Sequence, residues 1–157
     1  MKKFGKTLNK NDVGLFYFAG HGMQVQGNNY LIPIGSNIED EDELQFSAIN
    51  AGTVLAKMES AGNSLNIIML DACRNNPFAR SFRSSSRGLA RMDTPTGSML
   101  VYATGPSAVA ADGDGRNGLF TQSLLEHIET PNLSLQEVIL RTRTEVVKQS
   151  SSKQVPW

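Results

Sequence analysis

The chain has 157 residues, enough for one domain with a core of its own, and 39% of them are hydrophobic. Fifteen basic and fifteen acidic residues cancel, so net charge asks for neither nucleic acid nor an acidic membrane surface. A single cysteine excludes an internal disulfide framework, and His21 and His127 beside it make too poor a donor set for structural zinc; no stretch approaches the ~20 apolar residues of a membrane span.

Met1-Lys2-Lys3-Phe4-Gly5 is not followed by an apolar signal core, so the default expectation is a soluble, cytoplasmic chain without an address. Residues 1–11 are polar and basic and read as the tail of a helix. Val13 to Ala19 is apolar and aromatic-rich and meets Gly20-His21-Gly22, which predicts a strand with His21 hanging from its carboxyl terminus. Met23–Gln26 and Asn29–Pro33 flank Gly27-Asn28, the pattern of a hairpin with a tight turn. The acidic run Glu39-Asp40-Glu41-Asp42-Glu43 reads as a solvated loop ahead of a cation site, because charge blocks alone are common on surfaces.

Residues 51–61 predict a crossover helix with Val54, Leu55 and Met58 on one face and Gly62 as its stop. Leu65-Asn66-Ile67-Ile68-Met69-Leu70-Asp71-Ala72-Cys73 reads as a buried strand that stops at the cysteine. From Pro77 to Pro95, arginines at 80, 83, 87 and 91 are spaced among serines, too polar a stretch to order itself, and a long mobile loop is expected. Ser98–Ala103 is a third core strand, and Gly105–Gly118 a second long loop. A helix opening at Asn117 lines Phe120, Leu124 and Ile128 along one side. Ser134 with Glu137 is a capping box for another, with Leu135, Val138, Ile139, Thr142 and Val146 inward. Strands alternating with helices predict an α/β fold, its mostly parallel sheet covered on both faces.

Two chemical groups then stand at the carboxyl edge, where α/β sheets bind ligands. His21 and Cys73 are separated by about 50 residues, the room that parallel neighbours need for a crossover. A thiol is a nucleophile as its thiolate, and a nearby imidazole can take its proton and later hand one to a leaving amine. Such a pair performs acyl transfer, and the backbone N–H groups of Gly22 and Cys73 are candidates for the oxyanion hole. The competing reading is plain: a lone cysteine ending an apolar strand is most often a small buried hydrophobe. His127, beside Glu126 and Glu129, reads as a surface residue with no role.

Tyr17-Phe18-Ala19-Gly20-His21-Gly22 together with Asp71-Ala72-Cys73-Arg74-Asn75 resembles the caspase-like cysteine peptidases (peptidase C14 type), most of all the bacterial members grouped with metacaspases and paracaspases. The Ala-Cys-Arg core and the histidine spacing fit the caspase signature, while Asp71 replaces its glutamine and Asn75 its glycine. The resemblance implies a three-layer caspase-like sandwich and a primary specificity pocket two residues before the nucleophile. A carboxylate there, Asp71, pairs with guanidinium or ammonium and repels acids, which implies peptide or protein substrates cut after Arg or Lys. By the same resemblance Asp112 is a second acid of that pocket, and the segment after Thr104 takes the substrate backbone as an added strand.

Metacaspases often require calcium, bound in a position loosely comparable to Asp40, Asp42 and Glu43; bacterial members do not all share this, and no cofactor is otherwise expected. An enzyme cutting after Arg beside its own arginine loop is expected to process itself after Arg80, Arg83, Arg87 or Arg91. The resemblance runs from about residue 13 to at least 147 within a single domain, 1–157. Family domains usually begin with a strand, a helix and a further strand that are missing here, so the chain is a fragment, a member cut at both ends, or one completed by a partner. The sequence leaves oligomeric state open. Two alternatives stand beside the peptidase: a catalytically silent caspase-like module that binds a peptide or partner, and a thiol hydrolase of small amides.

Overall fold

In the computed structural model the described residues are 2–73, 88–105, 110 and 116–157, with backbone alone at Lys2, Lys3 and Cys73. Strand β1 runs Val13–Val25, beyond the break expected at Gly20. It then turns back through Gln26 and Gly27 into β2, Asn28–Leu31. Both turn residues have positive φ, 49° and 79°, as a two-residue hairpin of matching twist demands, so the turn sits one residue before the expected Gly27-Asn28. The glycines around His21 therefore do not break the strand.

A short 3₁₀ turn, Glu41–Glu43, and helix α2, Leu44–Ser47, lead to β3, Ile49–Asn50. Helix α3, Ala51–Glu59, is opened by the Asn50 side chain, which accepts from the Thr53 N–H at 3.2 Å. Val54, Leu55 and Met58 are 0%, 6% and 0% exposed, as the spacing predicts, and each contributes about 1.5–3 kcal/mol by burial. They pack with helix α1, Lys2–Thr7, over one face of the sheet.

Strand β4, Leu65–Cys73, lies between β1 and β5, Ser98–Tyr102, parallel to both. The sheet order is β3-β2-β1-β4-β5, with β2 and β3 antiparallel, so the ladder is mixed and its longer part parallel. Ile67, Ile68, Met69 and Leu70 are all buried, since both faces of β4 are covered. Helices α4, Leu119–Ile128, and α5, Leu135–Gln149, cover the second face through Phe120, Leu124, Val138 and Val146. Ile128 departs from the expected inner face and is half exposed, because eight residues carry a helix ~80° past the line through Phe120. The Ser134–Glu137 capping box forms as expected.

Helices α4 and α5 cover β4 and β5, and α4 meets β1 at Tyr17, while Val13 and Leu15 before it stay exposed. Val13, Leu15 and Tyr17 are 57%, 48% and 37% exposed, and among the described residues the Val13–Gly20 span pairs with β4 alone. At the opposite edge Trp157 exchanges backbone hydrogen bonds with Tyr102, at 2.7 and 3.0 Å, and so protects one residue of β5.

Candidate active site

Parallel pairing between β1 and β4 fixes where the two candidate residues lie. Its last three pairs are Ala19 with Asp71, Gly20 with Ala72, and His21 with Cys73. Neighbouring backbones in such a ladder lie about 4.8 Å apart, so the backbones of residues 21 and 73 are adjacent at the rim where β4 ends. His21 is exposed and sits within β1, not at its terminus as expected, at the residue where the strand changes partner from β4 to β2. Its carbonyl accepts from the Ile32 N–H at 2.9 Å. Because antiparallel ladders alternate, that bond turns the N–H of Gly22 away from β2 and toward the side on which β4 stops.

Gly22 has a packing reason to be glycine besides any approach by substrate. A Cβ there would lie 2.8 Å from the Ala72 Cβ and 3.3 Å from the Leu89 side chain. Beside His21 is a 480 Å³ cleft lined by residues 18–21 and 32–36.

Asp71 is 4% exposed and lies on the face toward α4. Its Oδ2 accepts the backbone N–H of Thr121 at 3.1 Å, and the Thr121 hydroxyl as well. Thr121 stands in the first turn of α4, where N–H groups have no intrahelical acceptor, so the carboxylate caps the helix from a neighbouring strand. The Tyr17 phenol shares a hydrogen bond with the same threonine hydroxyl. Burial pushes the Tyr17 phenol above its ordinary value; the Thr121 bond opposes it, and the negative charge of Asp71 adds a smaller upward push. The sequence gives no sign of Thr121: a threonine early in a helix is unremarkable until the fold sets it over Asp71.

The sequence pattern gives Asn29 no role beyond its place in a hairpin. Strand alternation turns it inward, 2% exposed, where its amide donates to the Ala90 carbonyl at 2.8 Å and its Oδ1 accepts the Ala90 N–H at 2.6 Å. With Leu89 buried and the Arg91 guanidinium 5.5 Å from the centre of the Trp157 ring, the end of the arginine-rich stretch is anchored, not mobile. The other self-processing candidates, Arg80, Arg83 and Arg87, and the pocket candidate Asp112 lie outside the described residues. Among the described residues no group of three His, Cys, Asp or Glu side chains converges to hold a metal ion. Within the acidic run, Glu43 accepts the Glu39 N–H at 2.7 Å, a local loop contact. Among them, too, no helix is long and apolar enough to cross a membrane.

An α/β sheet that ends its parallel ladder on a histidine and a cysteine, with an acid two residues earlier, defines the class. The chain belongs to the caspase domain family (peptidase C14), whose match extends over residues 1–157. Over 129 residues it is 26% identical to mucosa-associated lymphoid tissue lymphoma translocation protein 1 of Homo sapiens and to its homolog of Mus musculus. The matched segment is 80% of this chain but 15% of each relative, so the chain spans only a small part of their length.

Proposed function

We propose that this chain is a cysteine endopeptidase that cleaves after Arg or Lys, with Cys73 as nucleophile and His21 as general base and acid. The observation that carries the reading is the in-register pairing of His21 with Cys73 at the last rung of the parallel ladder. His21 takes the thiol proton, and the thiolate adds to the scissile carbonyl carbon. The oxyanion so formed is held by the N–H groups of Gly22 and Cys73. Collapse breaks the C–N bond, the imidazolium gives its proton to the leaving amine, and a thioester remains. Water, deprotonated by His21, then adds to the thioester; the acid leaves and the thiol is restored. Thiol, imidazole and water account for every bond, so no cofactor enters.

Asp71, with Asp112, supplies the negative charge for the basic side chain at the cut, and the segment after Thr104 takes the substrate backbone. Self-processing is assigned to Arg80, Arg83 or Arg87. Arg91 is disfavoured because a bond to be cut must reach the site extended, whereas Leu89 and Ala90 before it are buried or tied to Asn29.

One observation favours a second reading, a catalytically silent module that binds a peptide or partner: among the described residues Val13 and Leu15 on β1 are exposed apolar side chains, a surface that a partner can cover, and a fold alone does not make a competent pocket. Fluorogenic peptides ending in Arg and in Asp, offered to the purified chain, separate the two. Release from the Arg peptide alone, abolished in Cys73→Ala and His21→Ala, is expected. No release from either peptide rules out the peptidase.

A further inference from the structure

Asp71, Thr121 and Tyr17 form a hydrogen-bonded chain across β4, α4 and β1, and its direction follows from donor inventory. An ionised carboxylate only accepts, so the Thr121 hydroxyl must spend its one proton on Asp71 Oδ2. The hydrogen bond between Tyr17 and that hydroxyl then runs from the phenol to the threonine oxygen, and Tyr17 must be protonated to make it. The raised value of the phenol agrees with this order. The hydroxyl of a threonine is normally a free rotor; here one neighbour accepts its proton and the other fills its lone pair.

The chain also stands in a particular place. Asp71 is two residues before Cys73 on β4, and Tyr17 four before His21 on β1, both on the face that α4 covers. The terminal torsion of an aspartate is soft and broad, so a carboxylate that must meet a guanidinium in one plane needs something to set that plane. Two donors on one oxygen, the N–H and the hydroxyl of Thr121, do so.

We infer that Thr121, oriented by Tyr17, is a positioning residue for substrate specificity: it sets the Asp71 carboxylate for the cationic side chain of a substrate. This rests on the proposed cleavage after Arg or Lys. A purely structural role, capping α4, would instead make Thr121 matter equally for every substrate.

The test compares a peptide ending in Arg with one ending in citrulline, its neutral isostere. For Thr121→Val the Arg-over-citrulline ratio of kcat/KM is expected to fall roughly tenfold or more, the scale of a lost hydrogen bond to a charged group. The fall should be carried by KM for the Arg peptide, with the citrulline peptide unchanged. Thr121→Ser, which keeps the hydroxyl, should restore the ratio. If Thr121→Val does not fold, Tyr17→Phe, which removes one oxygen from a side chain 37% exposed, should give a smaller fall of the same kind. A wild-type ratio kept in these variants, or equal losses on both peptides, overturns the inference and leaves the peptidase standing. A wild-type chain that cuts neither peptide overturns the peptidase reading and this inference with it.

Discussion

A methyl group on Gly22 would press against Ala72 on the neighbouring strand, with 2.8 Å between the two Cβ atoms and Leu89 closing the other side. Gly22→Ala is therefore expected to cost about 1–3 kcal/mol in chemical denaturation, through overpacking; an unchanged midpoint would mean that the β1–β4 contact gives way freely. Tyr17 carries a second consequence. Its folded value lies above the ordinary 10.0, so its contribution to stability is intact below pH 10 and is lost as pH rises through the folded value. Tyr102 is raised too, mainly by burial, so Tyr17 and Tyr102 should both titrate late in tyrosinate absorbance, and Tyr17→Phe should remove one late component. At this scale His21, Cys73 and Asp71 were legible as candidates because residue type and spacing point to them, and the pairing of positions 21 and 73 agrees with that spacing. Thr121 and Asn29 were not, since each acts on a partner more than 45 residues away in sequence, which no local pattern announces.

Among the elements, α5 is the one whose start the sequence states outright. The Ser134 Oγ accepts the Glu137 N–H, and the Glu137 carboxylate reaches back to the Ser134 N–H at 2.8 Å. Ser134→Ala is expected to lower stability by about 1 kcal/mol. The Ser134 hydroxyl and N–H hold the Glu137 carboxyl below its ordinary 4.5. That contribution is present above pH 4.5 and lost as pH falls through the lowered folded value, so wild type and Ser134→Ala should converge in acid denaturation. A gap that stays constant across that range would detach the cap from Glu137. Strand β1 is the counterexample. Gly20 and Gly22 read as strand breakers, yet the strand continues through both, because Gly22 is fitted to Ala72 and Leu89 and β2 pairs with the strand beyond it. Tertiary packing decided that boundary, and it moved His21 from a strand end to the place where one strand exchanges partners.

For the whole molecule, alternation of strands and helices was enough to announce an α/β sheet; the spacing between His21 and Cys73 left room for a crossover, and the β1–β4 ladder supplies the adjacency that spacing alone left open. Which flank would lie uncovered depended on how far α4 and α5 reach, and composition does not encode that. Val13 and Leu15, 57% and 48% exposed on a stretch of β1 that among the described residues pairs with β4 alone, are an invitation to strand pairing between copies of the chain. Sedimentation of the purified chain should show concentration-dependent association that Val13→Lys with Leu15→Lys reduces; a monomer at every concentration would mean that the flank is inert. The central claim concerns the opposite end of the same strand, and intact-mass measurement of affinity labelling reaches it without requiring turnover. An Arg-based peptidyl ketone that alkylates thiols should add one mass to Cys73, far faster than its Asp-based counterpart, and slow sharply in His21→Ala. Equal, slow labelling by both reagents, indifferent to His21, would contradict it.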